Sequence, residues 1–285
     1  MPIHCTRHQW VKLPPLILDL RAGDRAEQRV INIMESPAPV NDPIALAASL
    51  LAVADRIVVL TGAGISAESG LPTFRGSDGV WKSLRPEVLA SVDGFTRDPA
   101  TSWAWYQHRR RAYAGAQPND GHRALAELAR RRPGLTLVTQ NVDRLHQRAG
   151  STDVIELHGN AVENHCFRCG EPAGHVALET DDLVPCRVCG GWLRPSVVWF
   201  GEMLPVEALD RATQAARRCS VFMSVGTSAQ VYPAAQLPVL AHHSGASVIE
   251  INPEPTPISH LARLVFRDPA GSVLPAIVAA MAGAR

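Results

Sequence analysis

Arg56-Ile57-Val58-Val59-Leu60-Thr61 runs directly into Gly62-Ala63-Gly64-Ile65-Ser66-Ala67, and this join decides the fold. The apolar run reads as a strand buried on both faces, as in a parallel sheet. The glycines after it fit the G-x-G-x-x-G/A pattern that closes the first strand of a dinucleotide-binding sheet. Gly62 and Gly64 let the backbone turn tightly and approach a pyrophosphate, and a helix N-terminus behind them offers unpaired N–H groups. The bland alternative is that such glycines only shape a tight turn. A hydride-transfer enzyme would want a second strand within about 30 residues. Here Glu68-Ser69-Gly70-Leu71-Pro72-Thr73-Phe74-Arg75-Gly76 follows instead, with Gly and Pro where a helix should continue.

Working outward, five further apolar runs read as strands: 135–139, 153–157, 220–226, 246–251 and 263–267. Helix-like stretches lie at 43–55, 121–132, 205–218 and 233–243. Strands alternating with helices predict an α/β fold with a parallel sheet. Two segments break the alternation. Residues 74–115 carry scattered Trp, Phe and Arg, and residues 161–194 carry cysteines. Both read as insertions that build a second, smaller domain. The large part is then about 41–73, 116–160 and 195–285. Residues 1–40 show no periodicity and are punctuated by Pro14-Pro15 and Pro37-Ala38-Pro39. They are expected to form a poorly ordered extension, with Met34 a candidate start.

Composition fits a globular chain. Of 285 residues, 46% are hydrophobic and 19% charged, enough to bury a large core. A formal net charge of +1 gives no electrostatic reason to expect a nucleic-acid partner. No run is long and apolar enough for a membrane span, and Leu16-Ile17-Leu18 is too short for a signal peptide. A cytoplasmic monomer in a reducing compartment is the expectation. Lys12 and Lys82 are the only lysines, leaving 26 of the 28 basic residues as arginine, a bias that GC-rich coding explains.

Cys166-x2-Cys169 and Cys186-x2-Cys189 have the spacing of a zinc site. Four thiolates complete a tetrahedral shell and leave no position for water, so such a zinc is structural. Two disulfides or a redox pair suit a reducing compartment less well. Cys219 opens a predicted strand and reads as a small buried apolar residue.

Polar residues gather where strands end. The run 135–139 leads into Gln140-Asn141-Val142-Asp143, and 153–157 leads into His158-Gly159-Asn160. Ligands of open α/β sheets collect at such strand ends. The amides and carboxylate suit a ribose or a carboxamide, and a histidine there suits general base work. Loop capping explains each residue taken singly, but clusters at successive strand ends favour a site.

Together the segments 62–76, 139–150, 156–160, the four cysteines, 197–202 (Val-Val-Trp-Phe-Gly-Glu), 226–234 and 251–254 resemble the sirtuins, NAD-dependent protein-lysine deacylases. The resemblance runs in order from about residue 43 to 280. It implies a Rossmann-like large domain and an inserted small domain made from a zinc ribbon (about 161–194) and a helical module (about 74–115), with NAD and an acyl-lysine meeting in the cleft between them and one structural zinc. Gly62, Ala63, Gly64, Phe74, Arg75 and Trp81 would hold the cofactor in a flexible loop. Gln140, Asn141, Val142 and Asp143 would surround the nicotinamide ribose and carboxamide. Gly226, Thr227, Ser228, Asn252, Pro253 and Glu254, with Ala270, would line the adenosine side. His158 would be the general base, and Asn141 and Asp143 would strain the nicotinamide bond towards cleavage. Val198, Gly201 and Glu202 would pair with the substrate peptide as an added strand, and Phe200 and Tyr232 would also bind substrate. The implied products are nicotinamide, free lysine and O-acyl-ADP-ribose.

Tyr106 and Arg109 stand three apart on a predicted helix and share a face. With Ala90 they resemble the Tyr-x-x-Arg pair and small residue of class III sirtuins, which remove succinyl, malonyl and glutaryl groups. The guanidinium fork and phenol O–H suit a carboxylate. Ser91-Val92-Asp93-Gly94 stands where Thr-Pro commonly follows that alanine. The alternatives are a packed Tyr106 with a solvated Arg109-Arg110-Arg111 run, a plain deacetylase, or a mono-ADP-ribosyltransferase using the same NAD site.

Overall fold

The computed structural model describes residues 42–74, 86–177 and 181–281. The stretch 1–40, with Met34, and two expected cofactor contacts, Arg75 and Trp81, lie outside the described residues. The strands are β1 (Ile57–Thr61), β2 (Leu135–Thr139), β3 (Val154–Glu156), β4 (Gly159–Cys166), β5 (Leu193–Val197), β6 (Val221–Val225), β7 (Ser247–Ile251) and β8 (Leu264–Phe266). The helices are α1 (Pro43–Val53), α2 (Pro86–Leu89), α3 (Val92–Arg97), α4 (Pro99–Gly115), α5 (Asp120–Arg131), α6 (Leu145–Arg148), α7 (Val206–Arg218), α8 (Gln236–His243) and α9 (Ala270–Ala280).

Each apolar run read as a strand enters one parallel sheet of order β3-β2-β1-β6-β7-β8. Counting only these strands, the order is 3-2-1-4-5-6, the doubly wound arrangement with its switch point between β1 and β6. All of β1 is buried because both faces are covered. Ile57 and Val59 pack with α1, α5 and α9 residues such as Leu51, Leu125 and Ile277. Val58 and Leu60 pack on the opposite face with Ala212 of α7 and Leu237 of α8.

The helix expected after the glycine turn is a tight 3₁₀ stretch, Ala63–Ser69, stopped by Gly70 at φ 82°. Its glycines also do something the motif did not announce. A Cβ on Gly64 would lie 2.7 Å from Gly226 Cα, and one on Gly226 would lie 2.3 Å from Ile65 N. The loops after β1 and β6 therefore touch backbone to backbone at the switch point.

The second sheet pairs β4 with β5, antiparallel and irregular between Gly159 and Asn164. Its inner surface holds Trp103 of α4 against Cys166, Cys186 and Leu193. Another face of α4 contributes Tyr106 and Tyr113 to a separate cluster with Phe95, Val197 and Trp199. Side-chain caps fix these helix starts: Asp98 Oδ1 accepts from Thr101 N at 3.0 Å, and Ser91 Oγ accepts from Gly94 N at 3.0 Å. Capping α3 is the work of the serine that departs from the usual Thr-Pro. Among the described residues no helix is long and apolar enough to cross a membrane.

Candidate active site

A cleft of about 750 Å³ opens at the C-terminal ends of β1, β2, β6 and β7 and reaches the inserted segments. The structure brings to it most residues singled out from the sequence. Gly62, Ala63, Gly64, Phe74, Gln140, Asn141, Val142, Gly226, Thr227, Ser228, Asn252, Pro253 and Glu254 line one side. Ala90, Tyr106, Arg109, Val198, Phe200, Gly201, Glu202 and Tyr232 line the other, and His158 lies among them. Asp143 lines a small recess behind Asn141 and Val142, which shares Phe74 and Arg109 with the cleft. Ala270 is not brought there. It begins α9 inside the sheet's hydrophobic core, so packing accounts for it.

His158 Nδ1 lies 3.0 Å from the Gln140 carbonyl oxygen. A carbonyl only accepts, so Nδ1 carries the proton and Nε2 presents a lone pair. Burial pushes the His158 pKa down, partly offset by that same carbonyl. Burial thus favours the neutral ring.

The loop after β2 is held from beneath. Asn141 Nδ2 donates to Gly62 O at 3.1 Å and to Ser66 Oγ at 3.2 Å. Ser66 Oγ donates to Asp143 Oδ2 at 2.8 Å, and Leu145 N donates to Asp143 Oδ1 at 2.9 Å. Burial raises the Asp143 pKa, while these bonds and the Arg109 charge pull against it. Gln140 Nε2 donates to Thr227 Oγ1 at 2.9 Å and ties the loops after β2 and β6 together. Ser66 went unread in the sequence. Its hydroxyl shows no pattern until the fold sets it beside Asn141 and Asp143. Asn119 and His122 support it from below, with Asn119 Nδ2 donating to Ile65 O at 2.7 Å. Asn119 at the start of an amphipathic stretch is a capping signal that finds this pair.

The end of the cleft at Tyr106 and Arg109 is more built than a solvated Arg run allows. Arg109 is 8% exposed and Arg110 4%. Arg109 Nε donates to Tyr113 Oη at 2.7 Å, and its Cζ lies 4.6 Å from the Phe74 ring centroid. Among the described residues neither Nη of Arg109 has a protein acceptor. Tyr106 Oη accepts from Trp199 Nε1 at 3.0 Å and keeps its own proton for a further acceptor. Burial drives the Tyr106 pKa up, so it stays a donor. Tyr113, one turn beyond Arg109, and Trp199 are the residues missed here. The i, i+4 spacing of Arg109 and Tyr113 is the signal for the first.

The segment expected to pair with a substrate peptide is braced from within. The Glu202 carboxylate is engaged by Arg194 through Nη1 at 2.5 Å and Nη2 at 2.9 Å, and by Trp199 N at 2.7 Å. Burial opposes the charge, but these donors win and hold Glu202 below its usual range. Val198 N donates to His158 O and Phe200 N to Ala90 O, both at 2.9 Å. Glu202 therefore braces the turn, and these two N–H groups are unavailable to an added strand.

Cys166, Cys169, Cys186 and Cys189 place their sulfurs within 4.8 Å of one another. Two of the separations are 3.5 and 3.8 Å, close to the edge of about 3.8 Å set by a tetrahedron of zinc–sulfur bonds near 2.3 Å. Backbone N–H groups of Arg168, Cys169, Val188 and Gly191 point at the sulfurs at 3.3–3.4 Å. The donor set fits one zinc ion held by four thiolates. Cys219 is buried and donates to Ala216 O, as a packed small residue would.

A doubly wound sheet with a polar cleft at its switch point and an inserted four-cysteine module defines a nucleotide-dependent enzyme of the α/β class. The Sir2 family model matches residues 62–233, and the chain belongs to the Sir2 family. It is 52% identical over 220 residues to an NAD-dependent protein deacylase of Aquifex aeolicus, covering 77% of this chain and 92% of that one. A Ralstonia nicotianae protein of the same name is 49% identical over 251 residues, covering 85% and 100%. A solved Sir2 homolog–NAD complex superposes with a TM-score of 0.79 at 46% identity, covering 83% of this chain and 93% of that one.

Proposed function

We propose that this protein is an NAD-dependent protein-lysine deacylase that removes succinyl and malonyl as well as acetyl groups. Relatives at about half identity carry the deacylase name. The observation behind the acyl preference is that Tyr106 and Arg109 turn unspent O–H and N–H donors into the cleft that also holds the His158 Nε2 lone pair.

The chain's own groups divide the work. Ala63 and Phe74, with Gly226, Thr227, Ser228, Asn252 and Glu254, would hold the dinucleotide along the cleft. Asn141 and Asp143, fixed through Ser66, would grip the carboxamide at the recess. NAD, when bound, supplies a ribose whose bond to nicotinamide can be broken. His158 Nε2 would then take a proton from a ribose hydroxyl, its ring held by Gln140 O. Tyr106 and Arg109 would bind an acyl carboxylate. Protein substrates enter over the brace formed by Glu202 and Arg194. The zinc has no open position, so its cysteines hold the module and take no part in chemistry. We place this activity in the cytoplasm, where the thiols stay reduced.

Initial rates on one peptide bearing acetyl-, malonyl- or succinyl-lysine, with NAD, test the reading. Succinyl and malonyl should exceed acetyl in kcat/KM by about tenfold, the weight of one charge-assisted hydrogen bond. A clear acetyl preference would sink the proposed specificity and leave a plain deacetylase.

A further inference from the structure

Arg110 is the least expected charge in the molecule. It is 4% exposed, and among the described residues no carboxylate pairs with it. A buried cation without a counter-ion is costly unless its donors are met by well-placed acceptors. They are met here, and by one strand in particular. Nε donates to Ala161 O at 2.5 Å, Nη2 to Asn164 Oδ1, and Nη1 to Gln107 Oε1 at 2.8 Å. Its Cζ lies 5.0 Å from the Trp103 ring centroid.

These bonds lead to the chemistry. Ala161 sits in β4, three residues beyond His158, and Ala161 N donates to Val142 O at 2.9 Å. Val142 lies between Asn141 and Asp143. On the other side, Arg110 is the neighbour of Arg109 on α4, about 100° round the helix. Fixing Arg110 on β4 therefore fixes the rotation of α4, and with it the aim of Tyr106 and Arg109 relative to His158. Asn164 spreads the connection, donating from Nδ2 to Gly174 O at 2.6 Å, while Gln107 Nε2 donates to Ala177 O at 2.8 Å.

We propose that Arg110 is a positioning residue: by clamping α4 to β4 it sets the Tyr106–Arg109 pair at the height where an acyl carboxylate can meet both, and so sets the preference for carboxylate-ended acyl groups over acetyl. This rests on the succinyl/malonyl reading above. Acetyl-lysine does not need the pair, so a loosened α4 costs it little.

The test compares wild type with Arg110→Met, Arg110→Lys and the milder Asn164→Ala. kcat and KM are measured on succinyl- and acetyl-peptides, with zinc per chain and Tm alongside. Arg110→Met should raise KM for the succinyl-peptide about tenfold, the scale of one charge-assisted bond. The acetyl kcat/KM should stay within about twofold, the size of a lost weak contact. Arg110→Lys should fall between. If Arg110→Met loses zinc or fails to fold, Asn164→Ala decides, with the same split expected in smaller size. Equal losses on both peptides, or an unchanged ratio in the folded variants, would overturn the proposal. A wild type with no succinyl preference overturns the acyl reading and this inference together, whereas an unchanged ratio in the variants overturns the inference alone.

Discussion

The His158 ring is held 3.0 Å from the carbonyl oxygen of Gln140, a residue of the same loop that carries Asn141 and Asp143. One bond thus fixes both the tautomer and the direction of the Nε2 lone pair. Burial lowers the His158 pKa from its ordinary 6.5, so the neutral ring persists to more acid pH than a free histidine. The acid limb of the pH profile of kcat/KM should therefore lie below 6.5. A limb above that value would contradict a base in this environment. His158→Asn removes the lone pair and should reduce turnover of every acyl-peptide by about a hundredfold or more.

Arg109 and its neighbour Tyr113 decide a second outcome. Arg109→Met keeps an unbranched apolar side chain but deletes the guanidinium that lies over the Phe74 ring, its Nη donors and the bond to Tyr113 Oη. Succinyl-peptide efficiency should fall about ten- to a hundredfold, the loss of about 1.5–3 kcal/mol. Acetyl turnover should change little. Steady-state kinetics on the two peptides check it, and equal losses would argue that Arg109 only supports the helix.

The contrast between Arg109-Arg110-Arg111 and the strand runs shows what could be read in advance. Strands such as Ile57–Thr61 announce themselves because burial on both faces demands an unbroken apolar run. The run of arginines looks like a solvated face, yet two of its members are buried and only Arg111, paired with Asp181 at 2.9 Å, behaves that way. Aromatic rings and carbonyl acceptors that make such burial tolerable lie far off in the chain, so no local pattern marks it. β4 and β5 were hidden for a related reason. Gly159–Cys166 has little apolar alternation, since a metal site rather than a broad core organises that module. Gln140, Asn141, Asp143 and His158 were visible because polar side chains gather where the strands of such a sheet end. The Arg194–Glu202 brace was not, because nothing in an eight-residue separation forecasts a bidentate pair.

The zinc module supplies a third expectation. Its core is small: Trp103, Cys166, Cys186 and Leu193, with partly buried neighbours. Such a core relies on metal bonds for its folding energy. Chelation, or Cys186→Ser, should release about one zinc per chain and abolish deacylation. Far-UV circular dichroism should keep most of the helix signal, because α1, α5, α7, α8 and α9 pack on the parallel sheet. Full retention of activity without metal would refute the structural role.

Two histidines beneath the site set an acid limit on stability. The His122 and His146 rings meet at a tilt of 58° with centroids 4.9 Å apart, and burial lowers their pKa values to about 4 and about 3. In the unfolded chain both titrate near 6.5, so above that pH neither state gains a proton and the contribution is fully present. As pH falls below 6.5 the unfolded state takes up protons that the folded state refuses, and stability drops towards pH 4 and 3. The slope is at most about 1.4 kcal/mol per pH unit for each ring. Tm measured from pH 7 to 4 should fall, and His122→Asn should flatten the curve. A flat wild-type curve would disprove the linkage.

Glu250 is wholly buried near the end of β7, two residues before Asn252, and its carboxylate organises the loop through which Asn252, Pro253 and Glu254 line the cleft, where the proposed reading puts the adenosine of NAD. Thr256 Oγ1 donates to one oxygen, and Ser259 Oγ at 2.7 Å and Arg267 Nη1 at 3.0 Å donate to the other. Arg267 Nη1 also donates to the carbonyls of Asn252 at 3.0 Å and Glu254 at 3.1 Å, so one guanidinium holds the loop backbone that Asn252 rides on. Glu250→Gln keeps the shape but trades charged bonds for neutral ones, a loss of about 1 kcal/mol that the loop absorbs. KM for NAD should rise about fivefold, the equivalent of that loss, while kcat and the KM for acyl-peptide stay near wild type. Arg267→Lys, which keeps the charge but not the fork, should behave similarly. A fall in kcat with unchanged KM for NAD would place the network's influence at the reacting end of the cleft instead.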